Sequence, residues 1–373
     1  MSRFAWIFLA VLACVAPSLA AAAGNVFMVS NIAVDATSDG AAQARDIAIA
    51  QGQRIAYQEL LHRLTRRADW DRLPSADSVQ LADLVLGYEV TEEQSSSTHY
   101  LAKITYTFKP AAVRSLLRGA GIGFSETRSR PVLILPVLEQ AGQILLFEDP
   151  NPWRAAWASY DLADDLVPAI LPSSGLEDSR VITAAQAKSA SWNDVAALAQ
   201  KYGADRVIVA DAVPQPSGAL SVKLDILSAS ENSPSVMNYT GTDINAEFNQ
   251  AVEAVLSRLS EGWKAATITD AGVSGTLVAS VPFSSLQEWL AIRRKLKQVP
   301  TVSDFDLLAI STGGATVQLS FAGTPEQLQI TLAQVSLTLT PSGSSWQITD
   351  NTQAGSTGSI SDTSASAPAN SQH

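Results

Sequence analysis

Five carboxylates gather around one aromatic segment: Glu148, Asp149, Asp161, Asp164 and Asp165 flank Phe147, Trp153, Trp157 and Tyr160. Two carboxyls facing each other across a sugar could run glycoside hydrolysis, and several oxygens together could hold calcium. The indoles would offer a wide flat surface to a sugar ring or a partner, on a loop stiffened by Pro150 and Pro152. Each chemistry has a plainer competitor. Trp153 and Trp157 stand one helical turn apart, which is also how an amphipathic helix docks on a sheet. No twelve-residue calcium loop frames the acids, and a solvated acidic face accounts for them. The candidate ligand-binding or partner-binding residues are Phe147, Asp149, Trp153, Trp157 and Tyr160, with the core reading favoured for the two indoles.

Other reactive groups are sparse. Imidazole comes only from His62, His99 and His373. Arg63, Arg66, Arg67 and Arg72 form one basic cluster, but Glu59, Asp69 and Asp71 interleave with it, so ion-paired surface charge is the expectation. No serine sits in a nucleophile elbow, and no glycine-rich phosphate loop or histidine-pair metal motif occurs. The expectation is a protein that is not an enzyme, with no catalytic residues, no metal and no cofactor.

The chain begins with Arg3, an apolar run from Phe4 to Val15 and a small-residue exit over Ser18 to Ala23, the pattern of a signal peptide at 1–23 cleaved after Ala20 or Ala23. The one cysteine, Cys14, lies inside that leader. A lipid anchor there is disfavoured, because bulky Leu12 and continuing apolar sequence spoil the processing box. Without the leader the chain has no thiol, so packing alone must hold it together. Removing residues 1–23 takes away Arg3 and leaves 24 of the 25 basic residues against 36 acidic ones. An acidic chain without a basic stripe is a poor nucleic-acid binder. No later stretch is apolar enough to span a bilayer, so the mature chain is expected to be periplasmic, with no transmembrane segment.

Three small domains must position these residues. In 24–124, Val26 to Asp35 reads as a strand with Val26, Met28, Ile32 and Val34 on one face. A helix from Asp39 to about Arg67 turns Ile47, Ala50, Tyr57, Leu60, Leu61 and Leu64 inward and Arg45, Glu59, Arg63 and Arg66 outward. A short helix over Val79 to Val85, a strand over Gly87 to Glu92, the alternating strand Tyr100 to Phe108 and a helix from Pro110 to Leu117 complete an α+β domain, its sheet covered on one side. Ser125 to Arg130 reads as a polar hinge.

In 131–267, Val132 to Leu138 is a buried strand and the turn-rich Phe147 to Pro152 opens the tryptophan helix. The stretch Ser191 to Val213 then carries agreeing local signals. Ser191 and Asp194 have capping-box spacing, Val195, Leu198, Ala199 and Tyr202 form one stripe, and Gly203 suits a left-handed helix stop. Val207 to Ala210 is apolar on both faces, as in a sheet covered by helices on both sides. Strands over Leu166 to Leu171, Leu220 to Leu227 and Ser235 to Tyr239 and a helix over Ala246 to Lys264 give a partly parallel α/β sheet. In 272–350, strands over Thr276 to Val281, Phe305 to Ile310, Ala315 to Phe321 and Leu337 to Ile348 alternate with two capped helices. One of these turns Leu286, Trp289, Ile292 and Leu296 inward, and the order βαββαβ is ferredoxin-like. Residues 351–373 hold too little apolar surface to fold and are expected to be a disordered tail.

The segment VSNIAVDATSDGAAQARDIAIAQGQRIAYQELLHRLTRR, with the later YLAKITYTFKPAAVRSLLR, resembles the secreted bacterial family called domain of unknown function 2066, over about residues 25 to 270. Its most specific piece is Leu60-Leu61-His62-Arg63-Leu64-Thr65. The middle domain is similar at fold level to the α/β module of the Tol translocation protein and of lipoprotein activators of penicillin-binding proteins. The resemblance implies location and architecture, and no catalytic residues come with it. Together these readings give α/β and α+β domains in an exported, non-catalytic envelope protein with envelope proteins as partners. Two other functions compete with that one: a periplasmic glycan-binding protein using the tryptophan segment, and a glycan hydrolase using two of Glu148, Asp149, Asp161 and Asp164.

Overall fold

The computed structural model describes residues 25–229, 232–241, 243–270, 272–343 and 345–353, and the strands among them form three sheets. Residues 1–24, where the signal peptide and Cys14 were expected, and residues 354–373, where most of the disordered tail was expected, lie outside the described residues.

The first unit runs β1 (Met28–Thr37), α1 (Ala41–Leu64), α2 (Leu81–Leu84), β2 (Val85–Ser95), β3 (His99–Phe108) and α3 (Pro110–Gly119), with strand order β1-β3-β2. A β-bulge interrupts β1: the register with β3 shifts between Val29 and Ile32, and Asn31 takes φ 60. One extra residue exchanges the faces. Val29 therefore joins Ile32, Val34 and Ala36 inside, and the simple alternation through Met28 fails. Helix α1 lies close on this sheet because its inner face is Ala44, Ala48, Gly52 and Ala56. A Cβ on Gly52 would stand 2.6 Å from Tyr106 Oη and 2.7 Å from Val34 Cγ1. Ala50, expected inward, is exposed.

The middle unit runs β4 (Val132–Gln140), β5 (Gln143–Leu145), α4 (Pro152–Ala158), β6 (Ala169–Ile170), α5 (Leu176–Val181), α6 (Ala184–Lys188), α7 (Trp192–Lys201), β7 (Arg206–Pro214), β8 (Leu220–Leu227), β9 (Asn232–Tyr239) and α8 (Ile244–Thr267). Its sheet has the order β5-β4-β7-β8-β9; β4 pairs in parallel with β6 and β7, and the other pairs are antiparallel. Asp194 Oδ2 accepts from Ser191 N and Oγ at 2.7 Å each, and Gly203 ends the helix at φ 67. Val207 and Val209 pack with Val195, Leu198 and Ala199, while Ile208 and Ala210 pack with Trp153, Trp157 and Phe248. Helices thus cover both faces of β7. The expected strand over Leu166 to Leu171 shrinks to two residues.

The third unit runs β10 (Ser274–Pro282), α9 (Leu286–Gln298), β11 (Val302–Ser311), β12 (Gly314–Ala322), α10 (Pro325–Gln334), β13 (Leu337–Ser342) and β14 (Ser345–Asp350). The expected order holds through α10. The single closing strand does not: Leu337 to Ile348 folds into a hairpin, and Gly343 takes φ 60 in its turn. The order is β11-β12-β10-β14-β13, with β14 parallel to β10. Trp289, Ile292 and Leu296 are buried, whereas Leu286, expected inward, is 65% exposed. Asn351 also belongs to this unit rather than to a tail, since its N–H donates to Ser336 O at 3.0 Å.

The segment expected to hinge is instead a weld. Ser125, Thr127 and Ser129 are buried, Ser125 N donates to Leu64 O, and Ser125 Oγ and Thr127 O meet Thr267 and Trp263 of α8. Backbone and side-chain partners on both neighbouring units hold this stretch, so it has little freedom to swing. Arg130 reaches Ser336 at 2.6 Å and Gln327 of α10 donates to Ile268 O at 2.7 Å, which ties the third unit to the middle one.

Candidate functional site

The tryptophan segment begins with a capped helix. Asn151 Oδ1 accepts from Arg154 N at 3.0 Å and Pro152 fills the first turn, so α4 starts where its free amides are satisfied. Spacing i, i+4 then turns Trp153 and Trp157 to the same side, and that side faces the sheet. Both are 0% exposed. Their rings meet edge-on at 5.6 Å, Phe248 packs on Trp153 at 5.4 Å, and Trp153 Nε1 donates to Ala210 O at 2.9 Å. Tyr160 joins this core and donates to Asn249 O. Phe147 packs on the opposite side of the sheet, and Asp149 is exposed. The five candidate residues therefore do not form one binding face, because the sheet separates Phe147 from the indoles and no indole face reaches solvent.

The acids divide as well. Glu148 accepts from the backbone N–H groups of Leu146 and Phe147 at 2.8 and 3.1 Å, and the Leu146 bond foremost holds its carboxyl below the ordinary range. Asp161, Asp164 and Asp165 line a cleft of about 370 Å³ between the first and middle units, and neither Glu148 nor Asp149 reaches it. The cleft is shared with Ser30, Glu59, His62, Arg63, Trp70, Ser257, Ser260, Glu261 and Lys264.

Arg63, expected outward, turns into this cleft. Its Nη1 donates to Val26 O at 3.1 Å and Met28 O at 2.6 Å, carbonyls at the start of β1. Burial lowers the guanidinium's proton affinity, and Asp164, Asp165, Glu59 and Asp161 restore part of it. The same burial pushes the Glu59 carboxyl up, with Asp164 adding and Arg63 opposing. His62 is pushed down by burial and by the Lys264 charge, and its ring stacks on Trp70 at 3.8 Å. Lys264, nearly all buried, donates to His62 O at 2.7 Å and to Glu261 Oε1 at 3.0 Å.

These groups are spent on joining the two units. Ser30 N donates to Asp164 at 3.0 Å, Asn31 Nδ2 to Asp161 at 2.9 Å, and Arg67 N to Glu261 at 3.2 Å. The bulge at Asn31 is what brings residues 30 and 31 to those carboxylates. Sequence reasoning set Glu59 beside Arg63 as surface charge, saw Asp161, Asp164 and Asp165 separately, and missed Trp70, Ser260 and Lys264 as their company. Glu59 and Arg63 at i, i+4 were the only local signal.

A second polar island also escaped notice, at the carboxyl end of parallel strands β4 and β7. Asp211 is 4% exposed in a run of apolar residues, and burial with nearby Glu139 pushes its carboxyl up to about 6, against Lys188 and Lys223. Glu139 pairs with Lys188 of α6. The telling signal was a charge inside Val207 to Val213.

The free surfaces are strand edges. Among the described residues β2 pairs only with β3, and Leu86 and Tyr88 on it are 66% and 47% exposed. Among the described residues β11 likewise pairs only with β12, and it exposes Leu307, Leu308 and Ile310. No family model matches the chain, and no curated protein matches it.

Proposed function

We propose that the protein is an exported, non-catalytic envelope protein of the kind its resemblance to domain of unknown function 2066 implies, acting as an interaction or assembly module for other envelope proteins. The observation that carries this reading is β2. Eleven residues long, it offers one whole edge of backbone donors and acceptors, and apolar Leu86 and Tyr88 stand beside that edge. An extended partner segment can add there as a fourth strand, its backbone supplying affinity and its alternate side chains supplying selectivity. The non-catalytic part rests on the cleft, where the carboxylates, Arg63 and Lys264 hold backbone and side-chain partners across two units rather than standing free around an open centre.

Photo-crosslinking from position 86 or 88 in intact envelopes tests the reading. A discrete protein adduct is expected at both positions, and Leu86→Lys with Tyr88→Lys should abolish pull-down of the same protein without lowering the melting temperature, since charged edge residues block strand pairing. No adduct from either position, or an adduct indifferent to the double substitution, refutes it.

A further inference from the structure

The third unit carries a face of opposite character to the rest of this acidic chain. Leu286, Leu290, Arg293, Arg294 and Lys297 fall within an arc of about 100° around α9, and the two leucines stand well exposed on it. Two contacts fix where that arc points. Arg293 lies over the Phe305 ring of β11 at 5.9 Å, while Lys295, on the other flank, binds Asp350 of β14. The arc therefore flanks β11. Leu307 and Ile310 pair with the buried Val317 and Ala315, so they share the helix side of the sheet, where α9 leaves them 47% and 53% exposed. Asp304 and Asp306 pair with Ser320 and Gln318 and point to the opposite face.

Cations continue past the helix. Lys297 and Arg118 of α3 line one crevice of about 490 Å³ between the first and third units, where the lining carboxylate Glu126 is held by Arg114 at 2.6 Å. Among the described residues no carboxylate stands within ion-pair distance of Arg118, Arg293, Arg294 or Lys297, although the chain as a whole carries −11. An apolar patch rimmed by unpaired cations, with Asp304 and Asp306 turned away and Glu126 paired to Arg114, is complementary to a surface that is apolar below and anionic above.

The geometry points to this flank as a docking surface for an anionic lipid bilayer, the leucines entering the headgroup boundary and the cations meeting lipid phosphates. The free edge of β11 stays at the hydrated headgroup level, where its backbone groups keep water as partner. This contact is separate from strand uptake along β2 and does not depend on it.

The test uses the chain from Gly24 onward, which contains every described residue, and co-sedimentation with vesicles of phosphatidylglycerol and phosphatidylethanolamine or of phosphatidylcholine alone. Binding to the anionic vesicles at low salt is expected, with little on phosphatidylcholine. Each cation near the surface contributes about five-fold in partitioning, so Arg293→Gln, Arg294→Gln and Lys297→Gln together should lower it on the order of a hundred-fold. Leu286→Ser with Leu290→Ser should lower it too, both variants melting like the parent. No binding to anionic vesicles, equal binding to both compositions, or a triple variant that binds like the parent overturns the proposal. So does a lipid-free dimer that the leucine double substitution dissociates, because a second copy would then be the occupant.

Discussion

Replacing Asp211 by asparagine should stabilise the protein above neutral pH and do nothing in acid. The carboxyl sits in the central strand of the middle sheet, and burial raises it from the ordinary 3.8 to about 6. A shift of that size corresponds to up to about 3 kcal/mol of preference for the protonated form in the fold. Because the folded value lies above the unfolded one, the folded chain holds the extra proton between them. The associated stability is complete below about pH 4 and is lost as the pH rises through 6. The substituted amide carries no charge at any pH and so escapes that loss. The Glu139–Lys188 pair and Lys223 remain in both proteins, and because Glu139 lies against Asp211 and helps to raise it, the difference between variant and parent reports the two neighbouring acids together. Guanidinium unfolding of Asp211→Asn and the parent near pH 4 and above pH 7 should give equal stabilities at the first and a more stable variant, by up to about 3 kcal/mol, at the second. A variant less stable than the parent above pH 7, or a difference independent of pH, would refute the reasoning.

Three further outcomes follow from the packing. Gly52→Ala should cost about 1–3 kcal/mol, because the new methyl meets Tyr106 Oη and Val34 at the helix–sheet contact; an unchanged melting temperature would show that α1 can shift outward freely. Trp153→Ala should cost about 3–5 kcal/mol in chemical denaturation as a core truncation that also frees Ala210 O, and a loss below about 1 kcal/mol would mean that the indole does not fill the core. His62, shielded by Trp70 and facing the Lys264 charge, should titrate below the ordinary 6.5 in a proton NMR series. Lys264→Met should move it back up, and a midpoint unmoved by that change would exclude the cleft geometry.

How much of this could be read from residues alone depends on the range of the interactions. The α7–β7 stretch was legible because a capping pair, a glycine stop and a doubly apolar run each act within a few residues and agree. The tryptophan pair was legible in the same way, since i, i+4 spacing on a short capped helix already favoured the core. The β1 bulge was not, because Asn31 looks like any polar strand residue until its left-handed backbone exchanges the two faces. Arg63 looked solvent-facing on the helix wheel; only the middle unit, brought there by contacts distant in the chain, gives it a cleft to enter. Leu286 shows the reverse error: it continued an apolar pattern on α9 at a position that the sheet beneath does not cover. The hairpin β13–β14 was read as one strand although Ile348, nine residues beyond Leu339, is out of step with the alternation of Leu337 and Leu339, and the turn at Gly343 was passed over.

That hairpin has a consequence for how the polypeptide is made. β14 is inserted between β10 and β13, and its Asp350 anchors Lys295. A nascent chain that has not yet delivered residues 345–350 leaves the earlier strand β10 open along one side, with the helix lysine unanswered. The third unit can therefore finish only after almost all of its residues have been synthesised, which keeps its strands loose during any passage that requires an unfolded thread.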